Sequence, residues 1–268
     1  MVADNSIILA ALPKKRINTV LHLKTVDSTN SYLRKLAQEG AVHGYTVIAD
    51  AQTKGRGRFD RTFVSPKEKG IYLSYLMRTD ANILDTASIT AYTAVAVKKA
   101  VKKVCGLNAD IKWVNDLLAG GKKLCGILCE SVVSAQGKTE YIIIGIGINV
   151  KQSKEEFSPE LKEIATSIEE VTGKPVSRER IAAQIIAQLD KMCKNYKRKA
   201  KGYLRGYKKA CINIGKPVEV KVNGQRLCGI CRGVDNGFGL IVETSDGQTV
   251  TVSSGEASVV NKQRCYKM

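Results

Sequence analysis

Residues 109–149 read ADIKWVNDLLAGGKKLCGILCESVVSAQGKTEYIIIGIGIN, and their patterning decides the fold. Three apolar runs stand out: Ala109 to Trp113, Leu124 to Val133 and Glu140 to Asn149. Runs of this length, rich in β-branched residues, form buried strands. Ser134-Ala135-Gln136-Gly137-Lys138 between the last two offers a hairpin loop.

Upstream, Asp27-Ser28-Thr29-Asn30 offers N-caps for a short amphipathic helix that buries Tyr32, Leu33, Leu36 and Ala37 and stops at Gly40. Tyr45 to Ala49 and Ile71 to Met77 predict strands, separated by a long polar loop rich in glycine and arginine. Asp85 can cap a helix from Thr86 to Val104, whose basic last turn suits the helix dipole. Downstream, Pro159 to Val171 and Ser177 to Lys199 predict helices, the second with Ile181, Ile185, Leu189, Met192 and Tyr196 on one stripe. From about Lys216 short alternating runs are broken by Asn223-Gly224, Asn236-Gly237 and Asp246-Gly247, each a hairpin signal. An α+β domain followed by a small β-barrel is expected.

The chain has 268 residues, 44% of them apolar, enough to fill a core, which excludes disorder as its main state. Lys and Arg number 43 against 25 Asp and Glu, a net charge of +18. Such a field favours nucleotides, nucleic acid or an acidic protein, and charge alone does not choose among them. Eight cysteines are scattered rather than set at disulfide spacings, which suits reduced thiols in a cytoplasm. Ile7 to Leu12 is too short for a signal core, and no run approaches the ~18 apolar residues of a bilayer span. A cytoplasmic protein with no membrane contact is expected.

Gly55-Arg56-Gly57-Arg58-Phe59-Asp60-Arg61 sets backbone amides beside three guanidinium forks, which can close together on phosphate or carboxylate oxygens. A solvated basic loop and an arginine-glycine patch for RNA are the competing readings. Asp60 stands where a dinucleotide-binding fingerprint needs its third glycine or alanine. Lys112-Trp113-Val114-Asn115-Asp116, then Gly120-Gly121-Lys122-Lys123, puts an amide and a carboxylate at a strand end and a lysine just past a turn. The carboxylate can hold a metal, and the lysine can neutralise charge developing at a phosphoryl group. Turn-forming Asn-Asp and solvated Lys-Lys are the plain alternative. Gly145-Ile146-Gly147-Ile148-Asn149 ends a strand with an amide able to read a base edge, though its glycines equally fit tight packing. His22 and His43 are the only histidines and fit structural or surface roles. Cys228 and Cys231 have no second pair to build a zinc site. Lys191 to Lys216 holds ten Lys or Arg and no acid, a solvated face or a docking face for an acidic partner.

Taken in order, these segments resemble the biotin protein ligases, the biotin-[acetyl-CoA carboxylase] ligases. The likeness runs from about Leu21 to the C-terminus. It rests on Ser28-Thr29-Asn30, Gln52 ahead of Gly55-Arg56-Gly57-Arg58, Lys112-Trp113-x-Asn115-Asp116, Lys123-Leu124-x-Gly126-Ile127-Leu128-x-Glu130, Gly145-Ile146-Gly147-Ile148-Asn149 and Gly255-Glu256. The resemblance implies a mixed-sheet catalytic domain of the class II aminoacyl-tRNA synthetase and biotin ligase type, then a small SH3-like β-barrel. The expected boundaries are an N-terminal extension over 1–20, the catalytic domain over 21–213 and the barrel over 214–268.

The implied reaction joins the carboxylate of biotin to the α-phosphate of ATP, with Mg²⁺, releasing pyrophosphate and making biotinyl-5′-adenylate. A specific lysine of a biotin carboxyl carrier protein, from acetyl-CoA carboxylase or another biotin-dependent carboxylase, then takes the biotinyl group. Biotin contacts are implied for Ser28, Thr29, Asn30, Gln52, Arg56, Gly57, Arg58, Lys123, Gly126 and Ile127. ATP contacts are implied for Arg58, Arg61, Phe63, Asn115, Asp116, Lys123 and Asn149. Lys123 resembles the lysine between biotin carboxylate and α-phosphate, Arg58 the arginine that keeps the adenylate from escaping, and Asp116 a carboxylate that meets the triphosphate through Mg²⁺.

Four places depart from the family pattern: Asp60 replaces a glycine, Phe63 a tryptophan and Val114 a proline, while Val259-Val260 stands where some relatives carry an arginine. Asp60 either weakens phosphate affinity or pairs with Arg61. About 20 residues precede the likeness, too few for the winged helix-turn-helix of DNA-regulating members, so no DNA partner is expected. The oligomer expected is a monomer or homodimer. A lipoate ligase is the nearest alternative, disfavoured by Gly55-Arg56-Gly57-Arg58 and the β-rich tail. A nucleic-acid-binding module lacks interleaved aromatics in a chain with only 6% of them.

Overall fold

The computed structural model describes residues 2–4, 6–13, 16, 19–79, 86–222 and 224–261. The first part of the chain forms α1 (Ser6–Ala10), β1 (Val20–Val26), α2 (Thr29–Gln38), β2 (Thr46–Gln52), β3 (Gly70–Arg78), α3 (Thr86–Cys105), β4 (Asp110–Lys112), β5 (Asp116–Ala119), β6 (Lys122–Val133) and β7 (Thr139–Asn149). Then come α4 (Pro159–Lys162), α5 (Ile168–Thr172), α6 (Arg178–Ala210), β8 (Pro217–Val222), β9 (Gln225–Val234), β10 (Leu240–Glu243), β11 (Thr249–Val252) and β12 (Glu256–Val259).

Strands β6 and β7 pair along almost their whole length and sit inside a seven-stranded sheet of order β1-β2-β3-β7-β6-β5-β4. The β1–β2 pair is parallel and the other pairs are antiparallel, so the sheet is mixed. The strand period of two divides its faces. Ile71, Leu73, Tyr75 and Met77 of β3, with Ile142, Ile144, Ile146 and Ile148 of β7, pack into one core with α3 and α6. Leu76, Tyr141 and Ile143 point the other way and meet Leu33 and Ala37 of α2. On that second face Ser74, Gly145 and Gly147 carry too little bulk to fill a core, and a cavity takes its place.

Local chemistry explains most boundaries. Ser28 caps α2 by accepting from Ser31 N, and Gly40, at φ +95°, takes the chain out of it. Ser177 caps α6 by accepting from Arg180 N. Asp85 lies outside the described residues, as does Asn223. Val222 faces Gln225 across a two-residue turn, with Gly224 at φ +79°.

Several expectations are corrected. Strands β1 and β5 were not read from the sequence, the first an edge strand with polar residues, the second four residues among turn formers. Pro159 to Val171 is not one helix: residues between α4 and α5 are drawn alongside β6, where Lys123 N donates to Ile164 O at 2.7 Å and Thr166 N to Lys123 O at 2.9 Å. Helix α6 does not stop at Lys199. A kink there (φ −108°, ψ 17°) is followed by another stretch that buries Tyr203, Tyr207 and Ala210. Its basic residues from Lys191 to Lys209 lie on the exposed face.

The last five strands form a second sheet of order β11-β10-β9-β8-β12. At Asn236-Gly237 the left-handed residue is Phe238, at φ +66°, rather than the glycine. Its ring, 1% exposed, lies edge-on to Tyr92 and Tyr207, and its carbonyl accepts from Trp113 Nε1 at 2.7 Å. Burying an aromatic ring outweighs the ~1–2 kcal/mol of a left-handed residue. The small sheet is thereby anchored in the large domain. No helix among the described residues is long and apolar enough to cross a membrane.

Candidate active site

A cavity of about 750 Å³ opens on the α2 side of the large sheet, and all the residues singled out in the sequence for biotin or ATP line it. The start of α2 forms one end, with Ser28, Thr29 and Asn30 buried. Gln52 Oε1 accepts from Thr29 N at 2.9 Å and from Thr29 Oγ1 at 3.1 Å, while Gln52 Nε2 donates to Ser65 Oγ at 2.9 Å. Ser74 Oγ donates to Asn30 Oδ1 at 2.6 Å and lies 2.8 Å from Thr29 Oγ1. These are neutral groups held in fixed orientations, suited to an uncharged polar ring.

The glycines of β7 make room for their neighbours. A methyl group at Gly145 would stand 2.4 Å from Asn30 Oδ1, and one at Gly147 would stand 2.5 Å from Phe63 Cε1. The packing reading of these glycines holds: they admit the amide and the ring that shape the cavity. Asn149 sits beyond them with both ends of its amide engaged, Nδ2 on Thr166 O at 3.1 Å and Oδ1 accepting from Gln152 Nε2 at 3.3 Å.

Near the middle, Lys123 Nζ stands 2.8 Å from Asp116 Oδ1. Register explains the meeting, since Asp116 opens β5 opposite Gly126 while Lys123 lies at the start of β6. Asn115 donates to Ile127 O at 3.1 Å and accepts from Arg58 Nη1 at 3.3 Å. The Trp113–Val114 peptide just before it is cis.

The loop over residues 55–63 sends its three arginines to three different walls. Arg56 pairs with Glu130 of β6, Arg58 with Asn115, and Arg61 with Glu256 of β12 through two bonds of 2.7 and 2.6 Å. The expected alternative of an Asp60–Arg61 pair is thus replaced by Arg61–Glu256. Phe59 and Asp60 both adopt left-handed conformations, φ 54° and 56°, which turn the chain so that Gly57 N reaches Arg61 O at 2.6 Å. A glycine takes that conformation freely, and aspartate is among the residues that tolerate it. Burial pushes the Arg58 guanidinium pKa down, opposed by Asp116 and Glu256. The Arg61 hydrogen bonds hold Glu256 below the ordinary glutamate value, and Glu256 raises Arg61.

Other candidates fall away from the cavity. His22 is buried between Asp4 O and Asp50, and the exposed His43 meets the backbone of Arg78. Cys228 and Cys231, three residues apart on β9, point to opposite faces and form no disulfide. Among the described residues no group of three His, Cys, Asp or Glu could cage a metal ion.

Residues 22–149 match the Biotin/lipoate A/B protein ligase family, and residues 214–260 match the Biotin protein ligase C terminal domain. The chain is 31% identical over 235 residues to a biotin--[acetyl-CoA-carboxylase] ligase of Mycobacterium tuberculosis, covering 85% of this chain and 84% of that protein. This chain belongs to the biotin protein ligase family. The ligase is also 32% identical over 229 residues to the bifunctional ligase/repressor BirA of Bacillus subtilis, across 85% of this chain and 70% of that one. Its fold matches the Aquifex aeolicus biotin protein ligase solved with biotin and ATP at a TM-score of 0.79 and 28% identity, over 92% of this chain and 100% of that chain. The α+β architecture and the SH3-like C-terminal domain agree with that family.

The sequence assigned no role to several residues around the cavity of the ligase, although Glu130 and Glu256 stand in the motifs that carry the resemblance. Ser74 and Gln152 hold Asn30 and Asn149, and Glu130 and Glu256 hold the loop. Glu130 had a signal: it follows Gly126 and Leu128 at strand spacing, so it shares their face. Ser74 and Gln152 had none.

Proposed function

We propose that this ligase activates biotin as biotinyl-5′-adenylate beside Lys123 and then passes the biotinyl group to a lysine of a biotin carboxyl carrier protein, with the loop guarding the intermediate between the two steps. Ser28, Thr29, Asn30 and Gln52 supply neutral hydrogen bonds to the ureido ring of biotin, with Gly126 and Ile127 as floor and the backbone at Arg56 and Gly57 above. The carboxylate then lies toward Lys123. ATP occupies the other end, with Phe63 and Asn149 near the base and Asn115, Arg58 and Arg61 toward the phosphates.

In the first step a carboxylate oxygen of biotin attacks the α-phosphorus, the bond to the β-phosphate breaks, and pyrophosphate leaves. Two anions must approach, so the ammonium of Lys123 neutralises both without reacting. In the second step the amine of the carrier lysine attacks the acyl carbon and AMP leaves. Arg58 and its loop exclude water from the mixed anhydride until that amine arrives.

Mg²⁺ fits the donor set. This ion is typically held by one or two carboxylates together with substrate phosphates. Asp116 Oδ1 is buried and lacks a partner of good hydrogen-bonding geometry despite the nearby ammonium, which suits it to that place. The ion would neutralise the triphosphate and aid departure of pyrophosphate. None of the seven described cysteines forms a disulfide, in keeping with a cytoplasmic setting. We take 21–213 as the catalytic unit and 214–268 as the C-terminal one.

The observation that carries this function is the convergence on one cavity of neutral donors, the Lys123–Asp116 pair and a loop of three arginines. Purified protein with ATP, Mg²⁺ and a carrier domain tests it. Pyrophosphate release and a gain in carrier mass are expected with biotin and not with lipoate or octanoate. Equal turnover of lipoate would assign the cavity to a different acid.

A further inference from the structure

Glu130 does not line the cavity, yet it joins two of its walls. It receives three donors from two other segments, with its side chain 16% exposed. Oε2 accepts from Asn30 Nδ2 at 2.7 Å, and Oε1 accepts from Arg34 Nη2 at 2.9 Å and from Arg56 Nη2. Two of these partners stand on α2. Asn30 is held from its other end by Ser74, and Arg34 follows it by one turn on α2. The third partner, Arg56, stands on the loop instead, its side chain 46% exposed against 39% for Arg34.

We infer that Glu130 is a positioning residue: through its charge pair with Arg56 it sets how long the loop stays over the bound biotinyl adenylate. This rests on the proposed function of the cavity. Asn30 and Arg34 keep the carboxylate in place when Arg56 leaves, so the anchor stays satisfied and ready while the loop opens. Return of Arg56 then requires no rearrangement of the wall. The same carboxylate fixes the amide of Asn30, which links occupation of the biotin end to the start of the loop. A glutamine at this position keeps the shape and the hydrogen-bonding oxygen and loses the charge that selects Arg56.

Adenylate residence time is the readout, because a purely structural role for Glu130 would not make its effect depend on Arg56. Protein charged with radiolabelled biotin and ATP is freed of excess ligand and chased with unlabelled biotin. Glu130→Gln and Arg56→Ala are each expected to speed loss of adenylate about three- to tenfold. The double variant is expected to lose it no faster than the faster single variant. Wild-type retention in Glu130→Gln, or effects that multiply in the double variant, would overturn the inference. Should Glu130→Gln fail to fold, Arg56→Ala decides alone, and wild-type retention there overturns it. Failure of the wild-type protein to form any adenylate would contradict the ligase function itself, a result distinct from normal formation with unaltered retention.

Discussion

Lys123 and Asp116 form the tightest test at the scale of single residues. In the proposed mechanism the ammonium neutralises the two anions as they are brought together, so Lys123→Ala is expected to slow pyrophosphate release by roughly 100-fold or more. Biotin binding should persist in calorimetry, because the hydrogen bonds at the start of α2 do not involve Lys123. Loss of both together would make Lys123 a simple binding group. Glycine positions give a second test. Gly147→Ala places a methyl group against the Phe63 ring, and the strain of relocating that ring is expected to cost about 1–3 kcal/mol in denaturant unfolding. An unchanged midpoint would mean that the ring moves freely. The glycines were visible in the sequence, but the identity of what they accommodate was not, since Asn30 and Phe63 lie far from β7 along the chain.

In the proposed function the loop is the element on which retention of the intermediate depends. Its partners lie 74, 57 and 195 residues away, for Arg56, Arg58 and Arg61 respectively. Sequence could therefore show three cations on a glycine-containing turn and could not show which wall each one meets. The cap of α2, by contrast, is local, and Ser28 was legible because its partner is three residues on. The segment from Pro159 to Val171 failed for a related reason: its helical pattern is real, but the backbone of Lys123 claims residues from its middle. Arg58→Gly is expected to leave adenylate formation measurable while the intermediate escapes and labels bystander lysines, detected by streptavidin blot of added albumin. Clean labelling of the carrier alone would remove Arg58 from the guarding role.

Across the whole molecule, Phe238 in the aromatic cluster and Glu256 on Arg61 are among the contacts that tie the C-terminal sheet to the rest of the chain. Phe238→Ala empties a fully buried site, and a loss of about 3–5 kcal/mol is expected in chemical unfolding. The Glu256 contact gives a pH dependence. Its pKa is lowered in the folded protein from the ordinary 4.5, so its stabilising effect is complete above that value and fades as pH falls through the lower one. Proteolysis within residues 55–63 should accelerate below pH 4.5 in the wild type, and Glu256→Gln should show the faster cleavage already at neutral pH. Identical rates for the two proteins at neutral pH would separate the C-terminal sheet from the loop. The division into an α+β part and a β-rich tail was readable from element order and hairpin signals, whereas Phe238 was hidden because tertiary packing overrode the turn preference for glycine.

The most direct measurement is to mix the purified protein with biotin, ATP and Mg²⁺, pass it through a desalting column, and identify the small molecule that stays bound by mass spectrometry. Biotinyl-5′-adenylate is predicted, disappearing with release of AMP when a carrier domain is added. Protein that emerges with no adenylate, from a sample shown to be folded, would contradict the account.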